Sequence, residues 1–526
     1  MTTATMSSTV NQANLAQHRS RFIKETKYGD QLINLLDKSE VGQWRFERDF
    51  DEGSPRWWIH LTLPEHLQEM YDLKLEILTV YVEYPRVEPR LLSTLQNRMR
   101  SYRVEPGLAF IASCDGTVAS LAQSRRGELT LIDINLAELG NDRRDIRARL
   151  AAVLATVDHY DMTNPIQDPG SFFGRKREID QLTQDLNRGQ SVGIFGLRKA
   201  GKTSLLNSLQ KRRTDAGRSV VKLDLSAIDS AERFKAALLE QTWSVVRSTV
   251  SSKMPRLRLI SAEGRVKIEA IPHLDLLWLD DLATLMEVTP GRIEVFIDEV
   301  DQAYPERSQW GQSADGLFKT LVQIRGLVQA APESERGIVL LCAGVDPSMF
   351  EKPLITGADN LVDNLIYKLV RLQWLAPMER DEMREMIGAL GKRMGVRIKD
   401  NLATDYLFEQ YGGHPLLTRK ACSVAANSRK PEELPFRLTQ DNLKASSGDA
   451  SLRRLAEDVF ESFREWFPDE ATVLEYLWSG NGEDRALGQE MLGELPNGLE
   501  HAKAYGLTHD DYLPRIVALT MALEGN

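Results

Sequence analysis

The chain has 526 residues, too many for one hydrophobic core, so roughly two to four domains are expected. Hydrophobic residues make up 42% and charged residues 27%, ordinary for a soluble globular chain, and no apolar run reaches the ~18 residues that a bilayer span requires. The net charge of −10 gives no global sign of nucleic-acid binding, although it leaves room for a local basic patch.

The first residues (MTTATMSSTVNQANLAQ) are polar and lack the apolar stretch of a signal peptide, so residues 1–20 are expected to form a disordered leader. Three scattered cysteines, Cys114, Cys342 and Cys422, suggest a reducing, cytoplasmic compartment with neither a disulfide framework nor a metal knuckle. Residues 21–163 then read as an α/β domain. Its expected strands are 76–84, 107–113 and 129–134, its expected helices 91–102 and 116–123. The pair Trp57-Trp58 is read as core and hairpin packing in preference to a base-stacking platform.

Residues 161–171 (DMTNPIQDPGS) concentrate Pro, Asp, Asn, Gly and Ser, the composition of a linker. Beyond it, 171–365 alternates strand-length apolar runs (191–195, 219–225, 293–297, 337–342) with helical patterns such as 231–247 and 274–287. That alternation predicts a mostly parallel sheet covered by helices, with ligands at the carboxyl ends of the strands.

The loop GLRKAGKT, Gly196 to Thr203, stands at such an end. Gly196 and Gly201 permit a tight turn and a close approach of backbone to ligand. The following helix points its unpaired N–H groups and positive dipole end at the same place. The predicted phosphate-binding residues are therefore Gly196, Lys199, Ala200, Gly201, Lys202, Thr203 and Ser204. Lys202 supplies charge to the β/γ-phosphates, also during reaction, and the Thr203 hydroxyl can ligate Mg²⁺.

Hydrolysis also needs an acid for the metal and a base for water. The segment IEVFIDEVD places Asp298 and Glu299 at the end of an apolar strand. Asp298 is the expected metal-binding acid and Glu299 the expected base. At the end of the next strand, where many ATPases carry a polar sensor of the γ-phosphate, stand Cys342-Ala343-Gly344-Val345-Asp346. The lack of Asn, Ser, Thr or Arg there argues against fast, sensor-gated hydrolysis.

Helical patterns take over in 366–445, expected to form a lid, and continue in a separate domain at 451–526 with a helix start at Pro468-Asp469-Glu470. Residues 451–526 carry 6 Lys/Arg against 15 Asp/Glu, or 6 − 15 = −9. A DNA reader should be basic, so protein or intramolecular contacts are expected of this end.

The motifs in order resemble a known family. Phe172-Phe173-Gly174-Arg175-Lys176-Arg177-Glu178 resembles the F-x-G-R-x-x-E-L opening motif of STAND-type ATPases, relatives of the AAA+ group. LVRLQWLAPMERDE resembles that family's strand followed by L-x-P-L-x-x-x-E, and Tyr411-Gly412-Gly413-His414-Pro415 its G-G-H-P turn. The resemblance spans roughly 171–425. It implies a P-loop fold with Arg175 near the adenine and His414 or Pro415 closing over the nucleotide. It further implies ATP or ADP as a conformational latch, assembly with itself or a protein partner, and roles in prokaryotic signalling or defence against mobile elements. The alternatives are an AAA+-like DNA-associated ATPase and a scaffold that holds nucleotide without hydrolysing it. The end of the chain resembles the last helix and wing of a winged-helix domain. Residues 107–139 loosely resemble the end of a restriction-endonuclease-like domain, with Asp72 and Glu83 as candidate acids; Glu83-Tyr84-Pro85 lacks the expected lysine, and Arg86 is the nearest cation.

Overall fold

The computed structural model describes residues 3–523 except 52–53, 72, 74, 119–128, 157, 162–171, 251–253, 305–310, 332, 334, 357–360, 399 and 428. Asp72, the linker from residue 162 onward and most of the expected helix at 116–123 therefore lie outside the described residues. The chain forms two compact units: residues 1–163, 384–407 and 418–449 make one, and 164–383, 408–417 and 450–526 the other. The segment 366–445, expected as a lid, is divided between them.

In the first unit, a helix spans Thr3–Glu25 over the stretch expected to be a leader. A mixed sheet follows, with strands β1 (Gly42–Asp51), β2 (Ser54–Thr62), β3 (Glu76–Val82), β4 (Val104–Ser113) and β5 (Thr130–Asn135) in sequential order. β1–β2 and β2–β3 pair antiparallel, β3–β4 and β4–β5 parallel. The alternation along β2 explains the two tryptophans. Trp57, Ile59 and Leu61 face one core with Tyr81 and Phe110, while Trp58 faces a second core with Val80, Leu92 and Leu95. Both indoles are buried, as packing residues are. The helix Pro89–Ser101 makes the crossover from β3 to the parallel β4.

The second unit holds the parallel sheet. Its strands are β6 (Val192–Phe195), β7 (Ser219–Asp224), β8 (Ile293–Asp298) and β9 (Ile338–Gly344), followed by the short antiparallel pair β10 (Leu354–Thr356) and β11 (Leu361–Asp363) and then β12 (Arg371–Trp374). The sheet order is β12-β6-β9-β8-β7, with every pair parallel. β6, β8 and β9 are buried along their whole length, which is why each reads as a continuous apolar run. β12 pairs Arg371 with Val192 and Trp374 with Phe195. The sheet thus takes an edge strand from beyond residue 365, the expected end of this domain, because backbone pairing with β6 outweighs the amphipathic character of 371–374. Helices Lys176–Asn187, Lys202–Asp215, Ala231–Thr249, Leu274–Val288 and Gly311–Gln329 connect the strands.

The C-terminal part of this unit is helical, with Ala450–Trp466, Pro468–Trp478, Gly482–Glu494, Glu500–Ala504 and Ala518–Leu523, and one antiparallel bridge between Thr508 and Pro514. Pro468 opens its helix at the first turn, where its missing N–H costs nothing.

Candidate functional site

β6 ends at Phe195, and the chain turns through Gly196–Gly201 into the helix Lys202–Asp215. Lys199 (φ 63°) and Gly201 (φ 98°) adopt left-handed backbone, which folds the loop back on itself. Arg198 and Lys199 are exposed, whereas Ala200, Lys202 and Ser204 are buried. The Lys202 ammonium donates to the carbonyls of Gly196 and Leu197, each at 2.9 Å, and so spans the mouth of the loop. Burial lowers its pKa, while the charges of Glu299, Asp301 and Asp298 oppose the shift. A buried cation facing a carboxylate cluster at a helix N-terminus is suited to holding a polyphosphate.

The acids stand two strands away. Asp298 is buried at the end of β8; Thr203 donates its hydroxyl to the Asp298 carboxylate, and Lys222 lies 3.8 Å from it. Burial raises the pKa of Asp298, offset by the Thr203 bond and Lys222. Glu299 has left-handed backbone (φ 52°), a conformation unusual for a side chain without a local hydrogen-bonding group, and its N–H donates to Asp298 Oδ1 at 3.2 Å. Burial also raises the pKa of Glu299, a poise suited to a proton acceptor, with Lys202 opposing and Asp298 reinforcing the shift. Thr203 and Asp298 could hold Mg²⁺. One hydroxyl and one carboxylate suit an ion that keeps waters and takes phosphate oxygens, and among the described residues no group of three or more His, Cys, Asp or Glu offers an all-protein cage.

The remaining expected residues come to the same loop. Arg175 caps the helix Lys176–Asn187 from a left-handed conformation, 5% exposed. Its N–H donates to Glu382 Oε1 at 2.8 Å and its Nη1 reaches Glu178 Oε1 at 3.0 Å, while Nη2 is buried without a partner among the described residues. Glu382 belongs to the L-x-P segment, whose Met378 N–H donates to Gly413 O at 2.9 Å. Gly413 has φ 78°, and a Cβ there would overlap the Met378 carbonyl, so the turn demands glycine twice over. His414 is fully buried; its Nδ1 accepts from the Leu417 N–H at 3.3 Å, and Nε2 faces the Arg198 backbone without a well-formed hydrogen bond. Burial pushes its pKa down to about 4, aided by the charges of Arg175 and Lys202, so the ring is neutral. Pro415, half-buried, opens the helix Pro415–Ala426. The segments around Arg175, Met378–Glu382 and Gly413, far apart in sequence, thus meet one another, and His414 reaches the loop at Arg198.

A family model described as novel STAND NTPase 1 matches residues 164–473, more than half of the chain. The chain belongs to this family. STAND proteins are P-loop NTPases, which agrees with the sheet order and the loop. No curated protein matches the chain. Among solved structures, the Walker-type ATPase of Pyrococcus abyssi is similar at 15% identity, covering 69% of this chain and 99% of that one, with a TM-score of 0.46. The ORC2 protein of Aeropyrum pernix in ADPNP–ADP complexes is similar at 14% identity, covering 70% and 97%, with a TM-score of 0.39. The Aeropyrum pernix ORC1 protein in complex with DNA is similar at 14% identity, covering 71% and 96%, with a TM-score of 0.34.

Two residues beside the candidate site escape the sequence motifs. Asp301 lies three positions beyond Asp298, buried to 1% exposure, and its pKa is pushed up to about 7 by burial first and then by the Glu299 charge. Tyr505 comes from the C-terminal part, and its hydroxyl donates to the Val345 carbonyl just past β9. A third acid in IDEVD was a usable signal for Asp301; nothing local marks Tyr505. Of the nuclease candidates, Glu83 accepts from the Lys27 N–H at 2.6 Å and from the Tyr81 hydroxyl. No helix among the described residues is long and apolar enough to cross a membrane.

Proposed function

We propose that the chain is an ATP-dependent switch that binds Mg-ATP at the loop Gly196–Thr203 and hydrolyses it slowly, with the bound nucleotide controlling assembly in prokaryotic signalling or defence, in the cytoplasm. The observation that carries this reading is the Lys202 ammonium held at the mouth of the loop beside Asp298 and Glu299, with His414 next to Arg198 of the same loop.

In this proposal the backbone of Gly196–Gly201 cradles the phosphates, and Lys202 exchanges its carbonyl partners for β/γ-oxygens. Thr203 and Asp298 would hold Mg²⁺, which would supply positive charge to offset the charge that develops on the phosphates. Glu299, its pKa raised by burial, orients water and accepts its proton. His414 and Pro415 cover the nucleotide from the G-G-H-P turn, and Arg175 lies at the adenine end. The first unit is read as a binding module and not a nuclease. Glu83 is engaged by Lys27 and Tyr81, and Tyr84-Pro85 stand after it where a lysine would be needed. Residues 451–526 are read as a winged-helix-like, protein-contacting end, in keeping with their acidic charge.

The test is ATP turnover and particle mass of the purified full chain, with and without ATP, ADP and duplex DNA. Nucleotide-dependent assembly independent of DNA supports the switch. Turnover that appears only with DNA would replace it with a DNA-associated ATPase.

A further inference from the structure

β9 ends at Gly344, at the place where a polar sensor is missing from the sequence. The next residue is gripped from both sides. The Val345 N–H donates to Asp301 Oδ2 at 3.2 Å, and the Val345 carbonyl accepts from the Tyr505 hydroxyl. Both side chains are essentially inaccessible to solvent. Gly344 makes the arrangement possible, since a Cβ there would overlap Asp301 Oδ1. Among the described residues that oxygen has no partner, and the bond from the Val345 N–H to Oδ2 holds the carboxylate.

On one side, Asp301 shares its field with Lys202 and Glu299. A charge arriving at Lys202 therefore changes the energy of the Asp301–Val345 bond in a site shielded from water. On the other side, Tyr505 sits in an aromatic cluster with Phe463 (6.2 Å), Phe467 (5.6 Å) and Trp374 (5.4 Å between ring centroids). Trp374 ends β12 and lies 6.5 Å from Phe195, the residue before the phosphate loop.

We infer that Val345 is the link between the nucleotide site and the C-terminal helices, and that Asp301 is a positioning residue for the ATP chemistry, acting in place of the absent sensor. The inference rests on the proposed ATPase reading. A residue whose N–H and C=O are both held by buried partners has little freedom. A shift of the C-terminal helices pulls the carbonyl, and the N–H follows through one Cα. The Asp301 carboxylate, and with it the field around Glu299, responds. The same link run backwards lets the state of the phosphate site be felt at Tyr505.

The test is a double-mutant cycle on the full-length protein, with ATP affinity by calorimetry and kcat by single turnover. Asp301→Ala is expected to lower kcat by about tenfold or more while ATP affinity stays within about threefold, because the bond acts on positioning and not on phosphate binding. Asp301→Asn keeps an acceptor oxygen and is expected to recover most of kcat. Tyr505→Phe removes only the hydroxyl; it should lower kcat by about threefold alone and have almost no further effect on Asp301→Ala, since the link is already cut. Wild-type kcat in Tyr505→Phe, additive effects in the double variant, or equal damage by Asn and Ala each overturn the link. Should Asp301→Ala fail to fold, Asp301→Leu, which fills the space and likewise lacks an acceptor, closes the cycle with Tyr505→Phe under the same criteria. A wild-type chain that binds no ATP sinks the ATPase reading itself, an outcome separate from normal turnover with an insensitive Tyr505.

Discussion

His501 holds Glu470 in a half-buried ion pair: Nδ1 lies 2.7 Å from Glu470 Oε1, and the ring stacks on Phe467 at 4.2 Å. Its other nitrogen lies 3.2 Å from Glu351, just beyond β9, so one imidazole joins the helix Pro468–Trp478 to the end of the P-loop sheet. Burial works against the charge, yet hydrogen bonds to both carboxylates outweigh it and hold the pKa up to about 9. The folded value exceeds the unfolded one of about 6.5. The stabilisation is therefore complete below pH ~6.5 and is lost as pH rises through about 9. The melting temperature of the wild type should fall between pH 7 and 9.5 more steeply than that of His501→Gln. Parallel curves for the two proteins would remove His501 as the group responsible.

Lys202→Ala should weaken ATP binding while the first unit stays folded, because the lysine acts by local charge. Each charge-assisted bond to phosphate contributes about 1.5–3 kcal/mol, or roughly ten- to a hundredfold in affinity. Calorimetry reads this directly. Unchanged affinity, with far-ultraviolet circular dichroism also unchanged, would take the nucleotide away from this loop.

Glu299→Gln preserves shape and removes the proton acceptor. Bound ATP should persist, with turnover lower by about 10²–10⁴-fold, the usual contribution of a positioned base. The check is the ratio of ATP to ADP retained after gel filtration. A variant that turns over like the wild type shows that another group takes the proton.

Arg213 and Glu294 form an ion pair inside the sheet-helix layer, both almost fully buried, with Nε 2.9 Å from Oε2; Arg213 also reaches Asn187 Oδ1 at 2.8 Å. Removing one partner leaves a buried charge uncompensated. Arg213→Met should destabilise the second unit by about 3–5 kcal/mol, and Arg213→Met/Glu294→Leu should recover most of that loss. Urea unfolding followed by tryptophan fluorescence measures both. A double variant as unstable as the single one contradicts a purely electrostatic cost.

Much of the proposed nucleotide site was legible in the linear sequence, because its chemistry is local. The phosphate loop needs glycines and a lysine within one turn of backbone. The strand ahead of it must be apolar because it is buried on both faces. Asp298 and Glu299 declare themselves by following such a strand. The turn at Gly412-Gly413 could be read as a helix end, since two glycines supply left-handed backbone cheaply.

The tertiary structure decided which of these pieces touch. That β12 becomes the edge strand beside β6, that His414 is buried against Arg198, and that Glu382 receives the Arg175 N–H depend on contacts between residues some 180 to 216 positions apart. No local pattern encodes such distances. Asp301 illustrates the division best. Its place in IDEVD is plain from the sequence, but its burial, its bond to Val345 and the room left by Gly344 arise only when β8 and β9 lie side by side. Residue type and short-range periodicity determined what each segment is able to do. Packing, by excluding water and setting which charges share a low-dielectric space, decided what they do together.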